Sequence, residues 1–342
     1  MTETTFDIDV VLERFRQFLI QRKELGKPLG PHGPTLTSEG TIQTYMRVAR
    51  RFLLNMIAQY GLPPPEDAVR QYFAILRKRV KPRTILLNYA VIKNLHAAMN
   101  WPFNIEWRQV VGDELERFVD APYLTKEELD QVVKYAEERA KDGNPIHMRD
   151  AVIIILLKYG LRPADILRLT VQNISFEKMK EGEDTYEAAV IRYKACKRGR
   201  EVTKILSREA SVCIARWVGY LESIYDPVEL LFAPLIPGFR NKTPPNVRSR
   251  EKKLKVKLFK PLSYKQLYNI VRRLLVEALG AKMKERRSPY AIRRGVITYL
   301  LASAKATPEE LCRFFGWRTL TMPVIYDKRK SEDIARKFVN II

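Results

Sequence analysis

The residues of this chain best suited to chemistry are two arginines, a lysine and a late tyrosine. Arg162 follows a glycine that ends a buried apolar stretch, Arg293 lies in a later helical stretch, and Tyr326 comes near the end of the sequence. Guanidinium groups can hold the non-bridging oxygens of a phosphodiester and stabilise its transition state. A tyrosine hydroxyl can attack such a phosphate, and a lysine such as Lys194 can protonate the leaving oxygen. This set of side chains therefore suits phosphoryl transfer.

The charge of the chain favours nucleic acid as the partner. Among 342 residues, Lys and Arg outnumber Asp and Glu by 61 to 39, which gives a formal net charge of +22. Most of this excess lies after residue 120, as expected if one part of the chain faces a polyanion. With 46% hydrophobic residues the chain can bury a core, so wholesale disorder is excluded. Double-stranded DNA is the expected partner.

Few residues suit metal binding or disulfide formation. Cys196, Cys213 and Cys312 are irregularly spaced, and the three histidines all precede residue 150. The sequence has no His, Cys and carboxylate cluster at metal-ligand spacing, so neither a metal nor a cofactor is expected. The N-terminus is acidic and polar, unlike a signal peptide, and the longest apolar run, residues 151–157, is too short to span a bilayer. We expect a cytoplasmic, nucleoid-associated protein with no membrane partner.

The N-terminal third of the chain predicts a small helical domain. Apolar residues recur at helical spacing in four stretches, which Pro- and Gly-rich segments interrupt at residues 26–34 and 61–65. The basic residues 77–83 lead into the fourth helix, and a helix N-terminus beside Lys and Arg favours phosphate. We predict a DNA-binding (SAM-like) core-binding domain over residues 1–112. Its expected DNA contacts are Arg47, Arg50, Arg77, Arg79, Lys81 and Arg83.

The remainder of the chain, residues 120–342, predicts a mixed α/β domain. Residues 151–157 are apolar all round, as in a buried helix. Gly160 can adopt the left-handed conformation that ends this helix, and Pro163 is tolerated in the first turn of the next. Arg162 is therefore presented at a helix start beside the core.

Two strand-forming segments follow in the same domain. Residues 186–206 predict a β-hairpin with Lys194 near its tip. Residues 238–262 are rich in Pro, Lys and Arg and predict a long basic loop or hairpin. The expected fold is mainly α with a small antiparallel β-sheet, in which the helical domain and the α/β domain form a clamp around DNA. The expected DNA contacts of the basic segment are Lys252, Lys253, Lys255 and Lys257.

The order of these motifs resembles the tyrosine recombinase (phage integrase) family, which includes Xer- and Cre-like site-specific recombinases. Residues 160–169, GLRPADILRL, resemble the family's first box, whose arginine is followed three residues later by an acidic residue, here Arg162 and Asp165. Residues 290–294, YAIRR, resemble its His-x-x-Arg box. Tyr290 stands where the family usually has histidine, and a phenol with a pKa of about 10 is a poor general base near neutral pH.

Two further elements strengthen the resemblance. The Phe-Gly-Trp run that ends at Trp317 resembles the family's Gly-His/Trp element, and Tyr326 follows nine positions later. Lys194 fits the lysine of the family's β-hairpin. Lys197 is the alternative, because the sequence does not determine the register of the hairpin. The resemblance covers nearly the whole chain, and four motifs in the correct order are far more specific than any one of them.

The resemblance implies a site-specific DNA recombinase or integrase. Tyr326 would attack a DNA phosphate held by Arg162 and Arg293, giving a 3′-phosphotyrosine and a free 5′-hydroxyl without metal or ATP. Lys194 would protonate the leaving oxygen, and Asp165 would orient Arg162 or its neighbours. The catalytic residues implied are Arg162, Lys194, Tyr290, Arg293, Trp317 and Tyr326, with Asp165 and Lys197 in support.

Strand exchange implies a homotetramer on synapsed DNA, with a monomer or dimer when the protein is free. The expected outcome is integration and excision of a mobile element, or resolution of chromosome dimers. Two alternatives stay open. A type IB topoisomerase shares the chemistry but reseals the same duplex, and a catalytically decayed recombinase binds DNA without cutting it, for which Tyr290 is the sequence hint.

Overall fold

The chain divides into two compact units, Met1–Arg117 and Phe118–Ile342, each with a hydrophobic core of its own. The domain limits expected from the sequence, residues 112 and 120, lie on either side of this division. No helix among the residues whose positions are given is long and apolar enough to cross a membrane. The computed structural model describes residues 7–26, 39–111, 122–196, 200–240, 255–280, 288–303, 306–317, 319–320 and 323.

The first unit is helical wherever it is described. Its helices are α1 (Ile8–Glu24), α2 (Glu39–Tyr60), α3 (Glu66–Arg77), α4 (Pro82–Met99) and α5 (Trp107–Val111). Each of the first four buries one apolar face in a common core, to which Phe15, Phe52 and Phe73 contribute fully buried rings. Pro82 opens α4, and Asn100 ends it in the left-handed conformation. The four predicted helices are confirmed, and α5 was not among them.

The second unit is built around one buried helix. Its helices are α6 (Lys126–Ala140), α7 (Pro145–Lys158), α8 (Pro163–Ile166), α9 (Arg208–Glu222), α10 (Pro227–Phe232), α11 (Tyr264–Leu279), α12 (Pro289–Ala302) and α13 (Pro308–Phe315). α7 is buried from Arg149 to Leu157, which confirms the predicted core helix. Capping boxes are present at Thr125, Ser263 and Thr307, so local sequence fixes where α6, α11 and α13 begin.

Two antiparallel sheets complete the second unit. Strands β1 (Ile174–Glu181), β2 (Asp184–Lys194) and β3 (Glu201–Ile205) form one sheet in the order β1-β2-β3, and β4 (Pro237–Arg240) pairs with β5 (Lys255–Pro261) in the other. Both predicted hairpins are therefore confirmed. β1 was missing from the prediction because half of its residues are charged and none of them is fully buried. The fold class, mainly α with small antiparallel sheets, is as predicted.

Two glycines allow the close contacts that bring the motifs together. Gly160 has a φ of +79°, and a Cβ there would collide with the ring of Phe315 in α13. Gly316 has a φ of +65°, and a Cβ there would lie 2.9 Å from Val202 Cγ2 of β3. Glycine is thus required at both positions by conformation and by packing. As a result, α13 lies directly against the start of α8 and against β3.

Candidate active site

Arg162 is held at the N-cap of α8 by the helix-breaking sequence around it. Gly160 ends α7, Pro163 begins α8, and the intervening side chain of Arg162 is 16% exposed. Arg162 Nη1 lies 3.5 Å from Asp165 Oδ2, one turn later in the same short helix. Because Asp165 is buried, this ion pair fixes the guanidinium at the edge of the core.

Asp165 also positions the end of β2. Its Oδ1 accepts a hydrogen bond of 2.7 Å from the backbone N–H of Cys196, and the Cys196 thiol donates to the carbonyl of Ala164 at 3.2 Å. Burial, followed by the hydrogen bond to Asp165, raises the pKa of the Cys196 thiol to about 11. One carboxylate therefore links the arginine of the first motif to the β2–β3 hairpin.

Arg293 lies in α12, which packs around the same point as the start of α8 and the end of β2. Its side chain is only 4% exposed, and its Cζ lies 4.7 Å from the ring centroid of Phe315 and 5.9 Å from that of Trp317. The two rings stack on each other with centroids 4.8 Å apart. The aromatic platform therefore fixes the plane of the guanidinium through cation–π contacts.

Trp317 is tied to both α13 and the hairpin. Its backbone N–H donates to the carbonyl of Cys312 at 2.7 Å, which closes the end of α13. Its own carbonyl accepts a hydrogen bond of 2.6 Å from Nη1 of Arg200, just before β3. The indole is buried, so the Phe-Gly-Trp motif acts as packing beneath Arg293.

The register of β2 and β3 separates the lysines of the hairpin. Lys194 pairs with Glu201 and its side chain is exposed, whereas Tyr193 pairs with Val202 on the opposite face. Tyr193 faces the two arginines: burial raises its pKa, as does Asp165, while the positive charges of the arginines oppose the shift. Lys194 thus lies on the face of the hairpin that points away from the paired guanidiniums.

A lysine that the sequence analysis did not select lies on the arginine side. Lys204 of β3 pairs with Ile191 and is 1% exposed, and its Nζ donates a hydrogen bond to the carbonyl of Phe314. Burial, followed by the charges of Arg293 and Arg162, lowers the pKa of Lys204 to about 6. The alternation of Val202, Lys204 and Leu206 was the available signal, because it places a lysine among inward-facing apolar residues.

Tyr290 occupies the first turn of α12, one turn before Arg293. It is 40% exposed, and its side chain lies close to that of Tyr264 at the start of α11. Burial, followed by the proximity of Tyr290, raises the pKa of Tyr264. The phenol of Tyr290 is thus accessible at the rim of the site, with a second hydroxyl beside it that the sequence analysis did not single out.

The other expected site residues lie in the first unit, in β5 or outside the described ranges. Arg47, Arg50, Arg77, Arg79, Lys81 and Arg83 are exposed on the first unit, and Lys81 is the N-cap of α4. Lys255 and Lys257 belong to β5. Within the described parts of the chain, no group of three or more His, Cys, Asp or Glu side chains could hold a metal ion. The expected residues outside the described ranges are Tyr326, Lys197, Lys252 and Lys253.

Comparison with known proteins identifies the family to which these site motifs belong. The sequence profile of the phage integrase family matches residues 122–332, which include every motif of the site. The chain belongs to the phage integrase family. No curated protein sequence gives a significant match to it.

Solved structures share the fold of this integrase family member along nearly its whole length. A structure of XerH site-specific recombinase bound to palindromic difH substrate, in a post-cleavage complex, matches with a TM-score of 0.63 at 13% identity, over 98% of this chain and 97% of that chain. The Tn1549 transposon integrase in complex with transposon right end DNA matches with a TM-score of 0.56 at 16% identity, over 96% and 99%. At these identities, the likeness concerns the fold.

Proposed function

We propose that this member of the phage integrase family is a site-specific DNA recombinase that cleaves and rejoins DNA through a 3′-phosphotyrosine. The observation that carries the proposal is the convergence of Arg162 and Arg293, 131 positions apart in the sequence, on one buried cluster. Both act electrostatically on Tyr193 and on Lys204, so both guanidiniums lie near the same point. Two convergent guanidiniums are well suited to a single phosphate.

The chemistry follows from the charges that the arginines supply. Arg162 and Arg293 stay protonated at any relevant pH, so they neutralise the non-bridging oxygens and stabilise the pentacoordinate transition state without a metal ion. Tyr326, which lies outside the described residues, attacks phosphorus in line and loses its proton to solvent. The bond from phosphorus to the 5′ oxygen breaks, and that oxygen takes up a proton from a general acid. The phosphotyrosine retains the bond energy, so rejoining requires no ATP.

Two further residues, Trp317 and Tyr290, support this step. Trp317 packs under Arg293 through Phe315 and so orients the guanidinium at the segment that leads to Tyr326. Tyr290 takes the place of the usual histidine as a hydrogen-bond donor to a phosphate oxygen, since a phenol donates well but accepts protons poorly near neutral pH.

DNA binding is assigned to the exposed cations. Lys81 and Arg83 lie at the N-terminus of α4, where the positive end of the helix dipole adds to their charge. We infer that this helical unit and the α/β unit clamp the duplex from two sides, with Lys252, Lys253, Lys255 and Lys257 on the second. Recombination then joins four subunits on two synapsed sites. Integration and excision of a mobile element fit this activity, because the Tn1549 integrase of similar fold is a transposon enzyme.

Covalent trapping tests the proposal. A nicked suicide duplex that carries the cognate site loses a short strand after cleavage, so the phosphotyrosine adduct accumulates and migrates slowly in a denaturing gel. Tyr326→Phe should abolish the adduct while it leaves DNA binding intact, and peptide mapping should place the DNA on Tyr326. An adduct that persists in this variant contradicts the assignment. Relaxation of supercoils without exchange between two labelled duplexes would indicate a type IB topoisomerase instead.

A further inference from the structure

Lys204 is the lysine that the fold places beside the two arginines. Residues paired directly across an antiparallel sheet point to the same face, so Lys204 shares the face of Ile191. Tyr193 lies two residues along β2 and therefore on that face too, where it meets Arg162, Arg293 and Asp165 electrostatically. Lys194, one position away from Tyr193, has the opposite orientation and is exposed.

The contacts of Lys204 bring it next to Arg293. Its Nζ lies 3.0 Å from the ring centroid of Phe314 and 5.3 Å from that of Phe315, and Arg293 Cζ lies 4.7 Å from the same Phe315 ring. The ammonium also donates to the carbonyl of Phe314 in the last turn of α13, where helix carbonyls lack partners within the helix. Lysine and arginine therefore flank one aromatic ring at the end of the helix that leads to Tyr326.

The charged groups around Lys204 make it a ready proton donor. The guanidiniums of Arg293 in α12 and Arg162 in α8 disfavour a third positive charge, whereas Asp165 in α8 favours it, and Tyr193 of β2 faces the same groups. Burial is the larger penalty on the charged form, and together with the two arginines it lowers the pKa of Lys204 to about 6. A bound phosphodiester brings a negative charge that favours the ammonium form. The substrate would thus load the lysine with a proton close to working pH.

We propose that Lys204 delivers the proton to the leaving 5′ oxygen, the role that the sequence alone assigned to Lys194 or Lys197. As the bond from phosphorus to the 5′ oxygen breaks, its electron pair goes to that oxygen, which takes a proton from Nζ of Lys204. The lysine is left as a neutral amine, the form that its buried position between two arginines favours. In rejoining, the 5′-hydroxyl returns the proton as it attacks the phosphotyrosine. This inference rests on the proposed function.

A substrate with a sulfur leaving group separates this role from others. In a duplex whose scissile 5′ oxygen is replaced by sulfur, a thiolate departs without protonation because thiols are far more acidic than alcohols. Lys204→Met keeps most of the length of the side chain and fills the site with an apolar group. It should cleave the oxygen substrate at least about 100-fold more slowly, the usual scale for a lost general acid, and cleave the sulfur substrate at nearly the wild-type rate. Lys194→Met and Lys197→Met are compared in parallel on both substrates.

Each outcome decides the assignment. Equal slowing of Lys204→Met on both substrates would mean that Lys204 only positions α13, and selective rescue by sulfur in Lys194→Met or Lys197→Met would transfer the role to that residue. If Lys204→Met does not fold, the wild type decides: its rate on the oxygen substrate should fall as pH rises through the pKa of Lys204 in the DNA complex, while its rate on the sulfur substrate does not. Parallel profiles overturn the proposal. Absence of any wild-type adduct on both substrates would reject the proposed function itself.

Discussion

At the residue scale, the site depends on a few charged groups placed where water is largely excluded. Arg293, Lys204 and Asp165 are all buried; Arg293 and Lys204 are held by contacts with α13, and Asp165 is held by a hydrogen bond from the end of β2. Burying such groups lowers the stability of the fold but fixes their geometry, since a charge removed from water must be compensated by its neighbours. Substitutions here should therefore separate stability from activity.

Lys204 should make the stability of the DNA-free protein depend on pH. Its pKa is about 6 in the folded protein against 10.5 as the ordinary value, so the unfolded chain binds more protons between these limits. The free energy of unfolding of the wild type therefore gains a contribution that rises with pH across this window. Lys204→Met removes the contribution. Thermal melts should find the variant more stable than the wild type by the largest margin at pH 6, and the margin should shrink toward pH 10. A margin that is constant with pH would contradict the buried, depressed lysine.

Asp165 has two roles that two substitutions can separate. Asp165→Asn keeps an oxygen to accept from the N–H of Cys196 but removes the charge that faces Arg162, whereas Asp165→Ala removes both. We expect Asp165→Asn to slow DNA cleavage with little loss of thermal stability. Asp165→Ala should lower both, since a buried N–H without a partner costs about 1–3 kcal/mol. Cleavage rates and melting temperatures of the two variants, measured side by side, test this. Equal melting temperatures would mean that the hydrogen bond to the hairpin is unimportant.

At the scale of elements, local sequence predicted what local interactions determine. The turn at Gly160 is a short-range signal and was found where it was predicted, and the capping boxes at Thr125, Ser263 and Thr307 depend on equally local sequence. The face of a hairpin lysine is a long-range property, because it depends on the pairing of β2 with β3 and on α13 packing against one side. For this reason the sequence selected Lys194 and passed over Lys204.

The packing of α13 against the start of α8 should be sensitive to Gly160. Gly160→Ala must adopt a φ of +79° and also displace the ring of Phe315, the platform of Arg293. Gly143→Ala is the matched control, because Gly143 has a φ of +70° and open space around its Cα. The free energy of unfolding of the control should fall by about 1–2 kcal/mol because alanine must adopt the left-handed backbone. That of Gly160→Ala should fall by about 1–3 kcal/mol more because of overpacking. Denaturant unfolding measures both. Cleavage should be lost only in Gly160→Ala, and equal losses of stability would mean that Phe315 moves freely.

At the scale of the whole molecule, the proposed chemistry lies in one unit, and part of the proposed DNA binding lies in the other, which has a core of its own. The buried arginines lie in the second unit, while the first presents exposed Arg and Lys on helices whose apolar faces are already used in its own core. The net charge of +22 predicted a polyanionic partner, whereas the division into two units follows from their separate cores. Substitutions in the first unit should therefore change affinity and leave the chemistry of bound DNA unchanged.

The basic segment at the start of α4 provides the test. Replacing Arg77, Arg79, Lys81 and Arg83 with Gln should weaken binding to any duplex and reduce the slope of log affinity against log salt by about 0.9 for each phosphate contact removed. At saturating protein, the single-turnover rate of adduct formation should stay at the wild-type value. Arg14→Gln with Arg16→Gln is the control, because these exposed arginines of α1 were not predicted to contact DNA. A control that lowers the slope as much per residue would indicate a diffuse electrostatic effect, and a reduced rate at saturation would place the segment in the chemical step.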